Sequence, residues 1–369
     1  MRFQRRAAAI GLIAASALLL GACGSDDNAG GGGVSAAPGV TCGGKPDLRS
    51  SGSSAQNNAM TRFVTTYQQT CQGQTLNYTP SGSGAGRNEF LGGQTDFAGS
   101  DSALKQGDET NRAQQRCASP AWNLPLVFGP VAIAYNLPGV TDLALDGTTA
   151  ARIFNGQITT WNDPAIAALN PGKTLPAAPI VVNFRSDESG TTENFQKYLV
   201  AASNNAYAKP ASQTFNGGVG AGARGSQGVA DATRNTPNSI SYVEASFAQR
   251  ANLGIAQVIN SGGGQPVALT TQSVAAAINN VQISGQGNDL TLNLDSLYKT
   301  SAPGAYPIAL ATYEIVCSNY ADDQTATAVR AFLQTALSPN AQQALPDAGY
   351  VPLPDQFKQR VTTAVNAIQ

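Results

Sequence analysis

The sequence predicts an α/β protein. Strand-like and helix-like runs alternate from Asp47 onward, and Gly/Ser-rich turns fall where strands give way to helices. Apolar residues at 42% against 12% charged describe a chain that folds around a core. With 369 residues it has room for one large domain or two medium ones.

The elements follow in order. Met60, Phe63, Val64 and Tyr67 recur at helical spacing on one face, and Leu76 to Tyr78 reads as a short strand. Leu124 to Tyr135 is an apolar, β-rich run suited to a buried strand. Asp163-Pro164 is a helix start, with the aspartate as cap and proline in the first turn. Ile180 to Phe184 is a strand, followed by a helix from Glu193 to Leu199 that turns Phe195, Tyr198 and Leu199 inward. Pro307 to Val316 is a second long strand, and helices over Thr325–Ala336 and Pro354–Ile368 close the chain. No internal repeat is present.

Composition narrows the function classes. The formal charge is −1, from 22 basic and 23 acidic residues, so no global field attracts nucleic acid or an anionic membrane. Any anion affinity must come from a local site. There is no histidine, which removes Ser-His-Asp and Cys-His nucleophiles and the commonest zinc and iron ligand sets. No catalytic residue, metal or cofactor is expected.

The first residues are an export signal. Arg2, Arg5 and Arg6 precede an apolar run from Ala7 to Leu20, too short to span a bilayer. Leu20-Gly21-Ala22-Cys23 resembles the lipobox of bacterial lipoproteins. That resemblance implies a leader over residues 1–22 and a diacylglycerol on Cys23; the alternative is an ordinary secretory signal with an incidental cysteine. Gly24 to Pro38 is a Gly/Ala/Ser/Asp stretch with nothing to bury, as in a flexible tether, here drawn over residues 23–41. Export places Cys42, Cys71, Cys117 and Cys317 where disulfides persist. Four cysteines leave three pairings open. The favoured one is Cys42–Cys71 with Cys117–Cys317, the first bracing a strand start against the end of the next helix.

Three small-residue turns carry the functional signal. Ser51-Gly52-Ser53-Ser54 precedes the Met60 helix, Ser81-Gly82-Ser83-Gly84-Ala85-Gly86 follows the Leu76 strand, and Ser189-Gly190-Thr191 precedes the Phe195 helix. Each puts hydroxyls and unpaired backbone N–H groups at a helix N-terminus, where the helix dipole favours negative charge. Beside them stand Arg185, whose guanidinium suits a bidentate grip on an oxyanion, and Asp101. A carboxylate beside an anion makes sense only if the anion carries a proton to donate. Phosphate does so at neutral pH, and sulfate does not.

From about Cys42 to the C-terminus these residues resemble the phosphate-binding lipoproteins of high-affinity ABC phosphate importers, particularly the actinobacterial ones. The resemblance includes the three turns, Thr95 to Asp101 and Arg185 to Thr191. It extends to Ile153-Phe154-Asn155-Gly156, Trp161-Asn162-Asp163-Pro164 and Leu169-Asn170-Pro171-Gly172. It implies a two-lobed periplasmic-binding fold (type II), with mixed sheets flanked by helices and a cleft that closes over dehydrated phosphate. By motif position Ser54, the N–H of Ala55, Ser83, Ser189, Gly190 and Thr191 would contact the anion. Arg185 would supply positive charge, oriented by Asp187, and Asp101 would accept the phosphate proton. Lobe I would take residues 42–134 and 306–369, and lobe II residues 135–305. The partners so implied are inorganic phosphate, the transmembrane permease of an ABC phosphate importer and a membrane held through the lipid anchor; a monomer is expected.

Two positions depart from the family pattern. Ala55 stands where some relatives carry an aromatic residue, and Glu188 replaces a common glycine, so its charge must point away from the ligand. The Gly217–Gly228 loop, with Arg224, would face the cleft without a ligand role. Three readings compete: a receptor for another tetrahedral oxyanion such as sulfate, molybdate or tungstate, with arsenate not excluded; a phosphatase; and a lipoprotein adhesin. Asp101 opposes the fully ionised anions. The lack of histidine, of an evident metal cluster and of a Gly-Lys-Ser/Thr phosphate loop opposes the phosphatase.

Overall fold

The computed structural model describes residues 39–369. The leader, Cys23 and the tether as far as Pro38 lie outside the described residues. The chain builds β1 (Asp47–Gly52), α1 (Asn57–Thr70), β2 (Thr75–Thr79), α2 (Ser83–Leu91), β3 (Phe97–Ser100), α3 (Asp108–Cys117) and β4 (Ala121–Asn136). It continues through β5 (Ala144–Asp146), α4 (Gly147–Phe154), α5 (Pro164–Leu169), β6 (Val181–Arg185), α6 (Gly190–Ala202), β7 (Ala221–Ala223), α7 (Gly225–Asn235), β8 (Ser239–Glu244) and α8 (Ala245–Arg250). Further on come a C-terminal strand, Ala309–Cys317, and the helices Asp323–Ala336 and Asp355–Asn366.

The main sheet runs β2-β1-β3, the C-terminal strand, then β4-β8-β6-β7. Strands β1, β2 and β3 are mutually parallel, as are β8, β6 and β7, whereas the C-terminal strand and β4 run antiparallel to their neighbours. This is the expected two-lobed α/β architecture with mixed sheets, and β4 is the strand common to both halves. Ala121 to Pro130 pair with the C-terminal strand, and Val131 to Asn136 pair with β8. Two prolines explain why so long an apolar run changes partner. Pro125 sits at a register shift opposite Tyr313, and Pro130 sits where one ladder ends and the next begins. Proline has no N–H for a ladder and is tolerated at such interruptions.

Aromatic packing fixes the helices on the sheet. In one lobe Phe332 stacks on Phe97, with ring centroids 5.6 Å apart, and meets Tyr67 edge-on at 5.4 Å. In the other, Phe195 of α6 stacks on Tyr242 of β8 at 4.5 Å, with Phe154 edge-on to Phe195 at 4.8 Å. Such pairs add specific geometry to the burial that drives packing. Both disulfides follow the favoured pairing, with Cα–Cα distances of 5.3 Å for Cys42–Cys71 and 5.5 Å for Cys117–Cys317.

Two small-residue segments differ from the sequence reading. Ser51 and Gly52 belong to β1, and the glycine run expected as a turn is helical from Ser83 onward. Close approach is the cause. A Cβ on Gly86 would lie 2.3 Å from the Cα of Gly52, and one on Gly52 would lie 1.9 Å from the carbonyl oxygen of Gly99. The start of α2 therefore rests directly on the end of β1, and glycine is needed there despite its poor helix propensity. Helix α6 likewise starts three residues earlier than expected, because Ser189 caps it by accepting the Thr192 N–H at 3.2 Å.

Candidate anion-binding site

The carboxyl ends of β1, β3 and β6 deliver the polar residues to one place, as open α/β sheets do. Asp101 follows β3 and is 4% exposed. Its Oδ1 accepts hydroxyl donors from Ser53 at 2.6 Å and Thr312 at 2.8 Å, and its Oδ2 accepts from Ser83 at 3.1 Å. Burial raises its pKa to about 6, against the pull of the Ser53 hydroxyl and with a further push from the nearby Glu244 charge. Across the cleft, α6 closes on this group. A Cβ on Gly190 would lie 2.5 Å from Asp101 Cβ and 2.7 Å from Ser83 Oγ, so only glycine permits the approach. Asn194 then holds the Asp101 carbonyl, its Nδ2 donating at 2.8 Å.

Arg185 ends β6 and is 3% exposed. Its Nε and Nη2 donate to the two oxygens of Asp187 at 2.7 and 2.5 Å, and its Nη1 donates to Ser226 Oγ at 3.3 Å. Burial alone would lower the guanidinium pKa, but the Asp187 contact reverses that and raises it. Asp187, whose burial favours the acid, is held below the usual carboxylate range by Arg185 and by the Gly225 N–H. Tyr242 joins the aromatic core to the site, since its hydroxyl accepts the Arg185 N–H at 3.2 Å and lies 2.8 Å from Thr192 Oγ1.

Ser54 accepts the Ser226 N–H at 3.1 Å, with the two hydroxyl oxygens 3.0 Å apart. Thr191 donates its hydroxyl to Glu244. The Ala55 N–H donates to Ser53 Oγ at 3.1 Å, and its carbonyl accepts from Tyr350 at 2.6 Å. Ser83, Ser189 and Gly190 are buried at the starts of α2 and α6. Glu188 is exposed; its backbone carbonyl accepts the Gly84 N–H at 3.1 Å and its side chain lies over Gly84, fastening α6's turn to α2.

Sequence reasoning missed four residues here. Ser226, at the start of α7, lies in the glycine loop that the sequence reading left without a role. Ser53 was inside a quoted motif but was not assigned. Thr312 and Glu244 had no local signal, because each belongs to a strand whose other residues are core. A cavity of about 830 Å³ lies elsewhere, between α3 and the segment 284–291 beside Trp122. A cleft already closed around buried groups leaves little free volume.

Behind Asp101 lies a second buried acid. Glu314 is fully buried, and neither carboxyl oxygen has a hydrogen-bond partner among the described residues. Burial raises its pKa well above the usual carboxylate range, with Asp101 adding to the shift. A folded-state pKa above the unfolded one gives stability at low pH that is lost as pH rises through that window. Thermal unfolding should therefore show Glu314→Gln gaining on the wild type as pH rises above the ordinary glutamate range, where burial keeps Glu314 from ionising freely in the folded chain. Parallel curves would show that Glu314 does not ionise differently in the two states.

The fold and the buried polar cleft define a two-lobed solute-binding protein. A sequence profile of the PBP superfamily domain matches residues 29–340, and the chain belongs to that superfamily. Over the full length of both chains it is 58% identical to phosphate-binding protein PstS 3 and 54% identical to phosphate-binding protein PstS 2, both of Mycobacterium tuberculosis strain H37Rv. Among solved structures it is similar to the high-affinity periplasmic phosphate-binding protein PfluDING bound with phosphate. That match has a TM-score of 0.69 and 26% identity, covering 86% of this chain and 93% of the other.

Proposed function

We propose that the chain captures inorganic phosphate outside the cytoplasm and delivers it, unaltered, to the permease of an ABC importer. The observation that carries this reading is Asp101, a buried carboxylate ringed by hydroxyls and covered by the N-terminus of α6. An anion entering there meets the dipoles of α2, α6 and α7 together with Arg185, and must present a proton to Asp101. Ser54, the Ala55 N–H, Ser83, Ser189, Gly190 and Thr191 complete the cage. Ala55 and Ser83 exchange their present partners for the anion. Hydrogen bonds to charged groups contribute about 1.5–3 kcal/mol each, so about ten would exceed any observed affinity unless phosphate dehydration and cleft closure offset most of the sum. A micromolar or tighter site is the expectation.

The chain is held at the extracytoplasmic face of the cell membrane through lipid on Cys23 and works as a monomer. Lobe I comprises 42–134 with 306–369 and lobe II 135–305, a division supported by the change of partner along β4 after Pro130. Closure is then a hinge motion about the crossings between lobes.

Thermal unfolding of the lipid-free mature chain with competing oxyanions tests this. Phosphate at about a thousand times its Kd adds about 4 kcal/mol and should raise Tm by several degrees, while equal sulfate should do nothing. A chromogenic phosphate ester should remain uncleaved. No phosphate-specific shift, or turnover of the ester, would contradict the reading.

A further inference from the structure

Phosphate capture makes no use of the cavity beside Trp122, and what that cavity can hold does not depend on the anion site. At about 830 Å³ it falls within the range of small-ligand sites, about 300–1,000 Å³. One wall is α3 with the loop that follows β3. The other is the turn 284–291 of a short antiparallel hairpin, Gln282–Ile283 with Leu292–Asn293. The start of β4 contributes Ala121 and Trp122.

One buried side chain ties both walls together. Asn123 of β4 is 3% exposed, and its Oδ1 accepts the Leu104 N–H of the first wall at 2.9 Å. Toward the second wall its own N–H and Nδ2 both donate to Asp289 Oδ1 at 2.9 Å, and its carbonyl accepts the Leu290 N–H at 3.0 Å. A Cβ on Gly285 would lie 2.1 Å from the Asp289 carbonyl oxygen, so the turn closes only with glycine there. Arg360 braces it from outside, its Nη2 donating to the Gly287 carbonyl at 3.3 Å. The cavity is therefore shaped before any ligand arrives, which lowers the cost of binding.

The lining narrows the ligand class. No lysine or arginine lines the cavity, so an anion finds no countercharge. Asp289 is its one acid, and donors from Asn123 and Thr291 already occupy that carboxylate, which leaves little for a cation. Half-exposed Trp122, with buried Leu104 and Ala113, supplies an apolar surface. The side-chain amides of Gln114, Gln286 and Asn288 offer donors and acceptors that bond to no other described residue, and a wholly apolar ligand would leave them unmatched. A sugar ring has the complementary form: an apolar C–H face for the indole, and adjacent hydroxyls that donate to and accept from amides. We propose that this cavity is a second ligand site that binds a neutral carbohydrate, with Trp122 as the stacking platform and Gln114 and Asn288 as hydroxyl contacts.

The chain carries 2 tryptophans and Trp161 is fully buried, so fluorescence quenching by acrylamide reads Trp122. The probes are neutral hexoses and pentoses with their α- and β-linked disaccharides, titrated into the lipid-free mature chain with and without excess phosphate. At least one should shield Trp122 with a Kd of about 1 mM or tighter, whether or not phosphate is present. Gln114→Ala with Asn288→Ala removes two side chains that bond to nothing else described in the protein. That variant should fold and bind phosphate as the wild type does, while its sugar affinity falls about tenfold. No shielding by any sugar would overturn the proposal, and so would equal affinity in the variant, which would put the sugar elsewhere. Shielding by sugar in a chain that fails to bind phosphate would support this site and sink the phosphate reading alone.

Discussion

Arg185→Ala should weaken phosphate binding about a hundredfold or more and also cost stability. The guanidinium is a buried cation at the end of β6, beside Ser226 of the cleft, and charge-assisted bonds to an anion contribute about 1.5–3 kcal/mol each. Its removal also strands Asp187, whose side chain is only 12% exposed and would keep only the Gly225 N–H from its present set of partners. Breaking one side of such a pair costs about 3–5 kcal/mol in favourable cases, more than losing both partners together. The double change Arg185→Ala with Asp187→Ala should accordingly recover stability while leaving affinity low. Chemical unfolding and phosphate titration of the two variants separate these effects. Near-native affinity in Arg185→Ala would make the arginine a structural residue.

Asp101→Asn should erase much of the preference for phosphate over sulfate. With a carboxylate at this position, sulfate faces Asp101 without a proton between them, a repulsion of several kcal/mol in a dry site. Asparagine replaces one oxygen with a donor. Sulfate then gains a hydrogen bond and phosphate loses its proton acceptor, so the gap should narrow about a hundredfold. Acid should mimic the substitution in the wild type. Because burial raises the Asp101 pKa to about 6, lowering the pH through that value protonates the group and gives it a proton to donate. Sulfate binding should therefore emerge at about pH 5 in the wild type and vary little with pH in the asparagine variant. A sulfate preference that ignores both changes would rule out Asp101 as the discriminator.

The site was legible where chemistry and local sequence coincide. Ser189-Gly190-Thr191 reads as an anion-binding helix start because cap, glycine and hydroxyls are consecutive, and Arg185 precedes it in the same strand-to-helix junction. Asp101 was informative because its charge appears wrong for an anion site until the ligand supplies a proton. Thr312 and Glu244 were illegible for the opposite reason. They reach the cleft only because the sheet places the C-terminal strand beside β3 and ends β8 near α6, and no local pattern encodes such neighbours.

Parts of the fold were hidden for related reasons. Helix α3 is polar along most of its length and buries few apolar side chains. It is held instead by Glu109, which pairs with Arg87 at 3.0 Å, and by the Cys117–Cys317 bridge. The glycine run at Ser83–Gly86 resembled a turn because glycine disfavours helix. Its real cause is the contact with Gly52, a tertiary constraint that overrides propensity. The long strand β4 was visible as an apolar run, yet its division between two halves was marked only by Pro125 and Pro130.

The central claim is a closed phosphate cage gated by Asp101, and the most direct measurement is a calorimetric titration of the lipid-free mature chain, stripped of anion, with phosphate and then sulfate at neutral pH. The account predicts one phosphate per chain, bound at micromolar affinity or tighter, with no competition from sulfate. Tight binding of both anions would contradict the role given to Asp101, and the absence of phosphate binding would contradict the site itself.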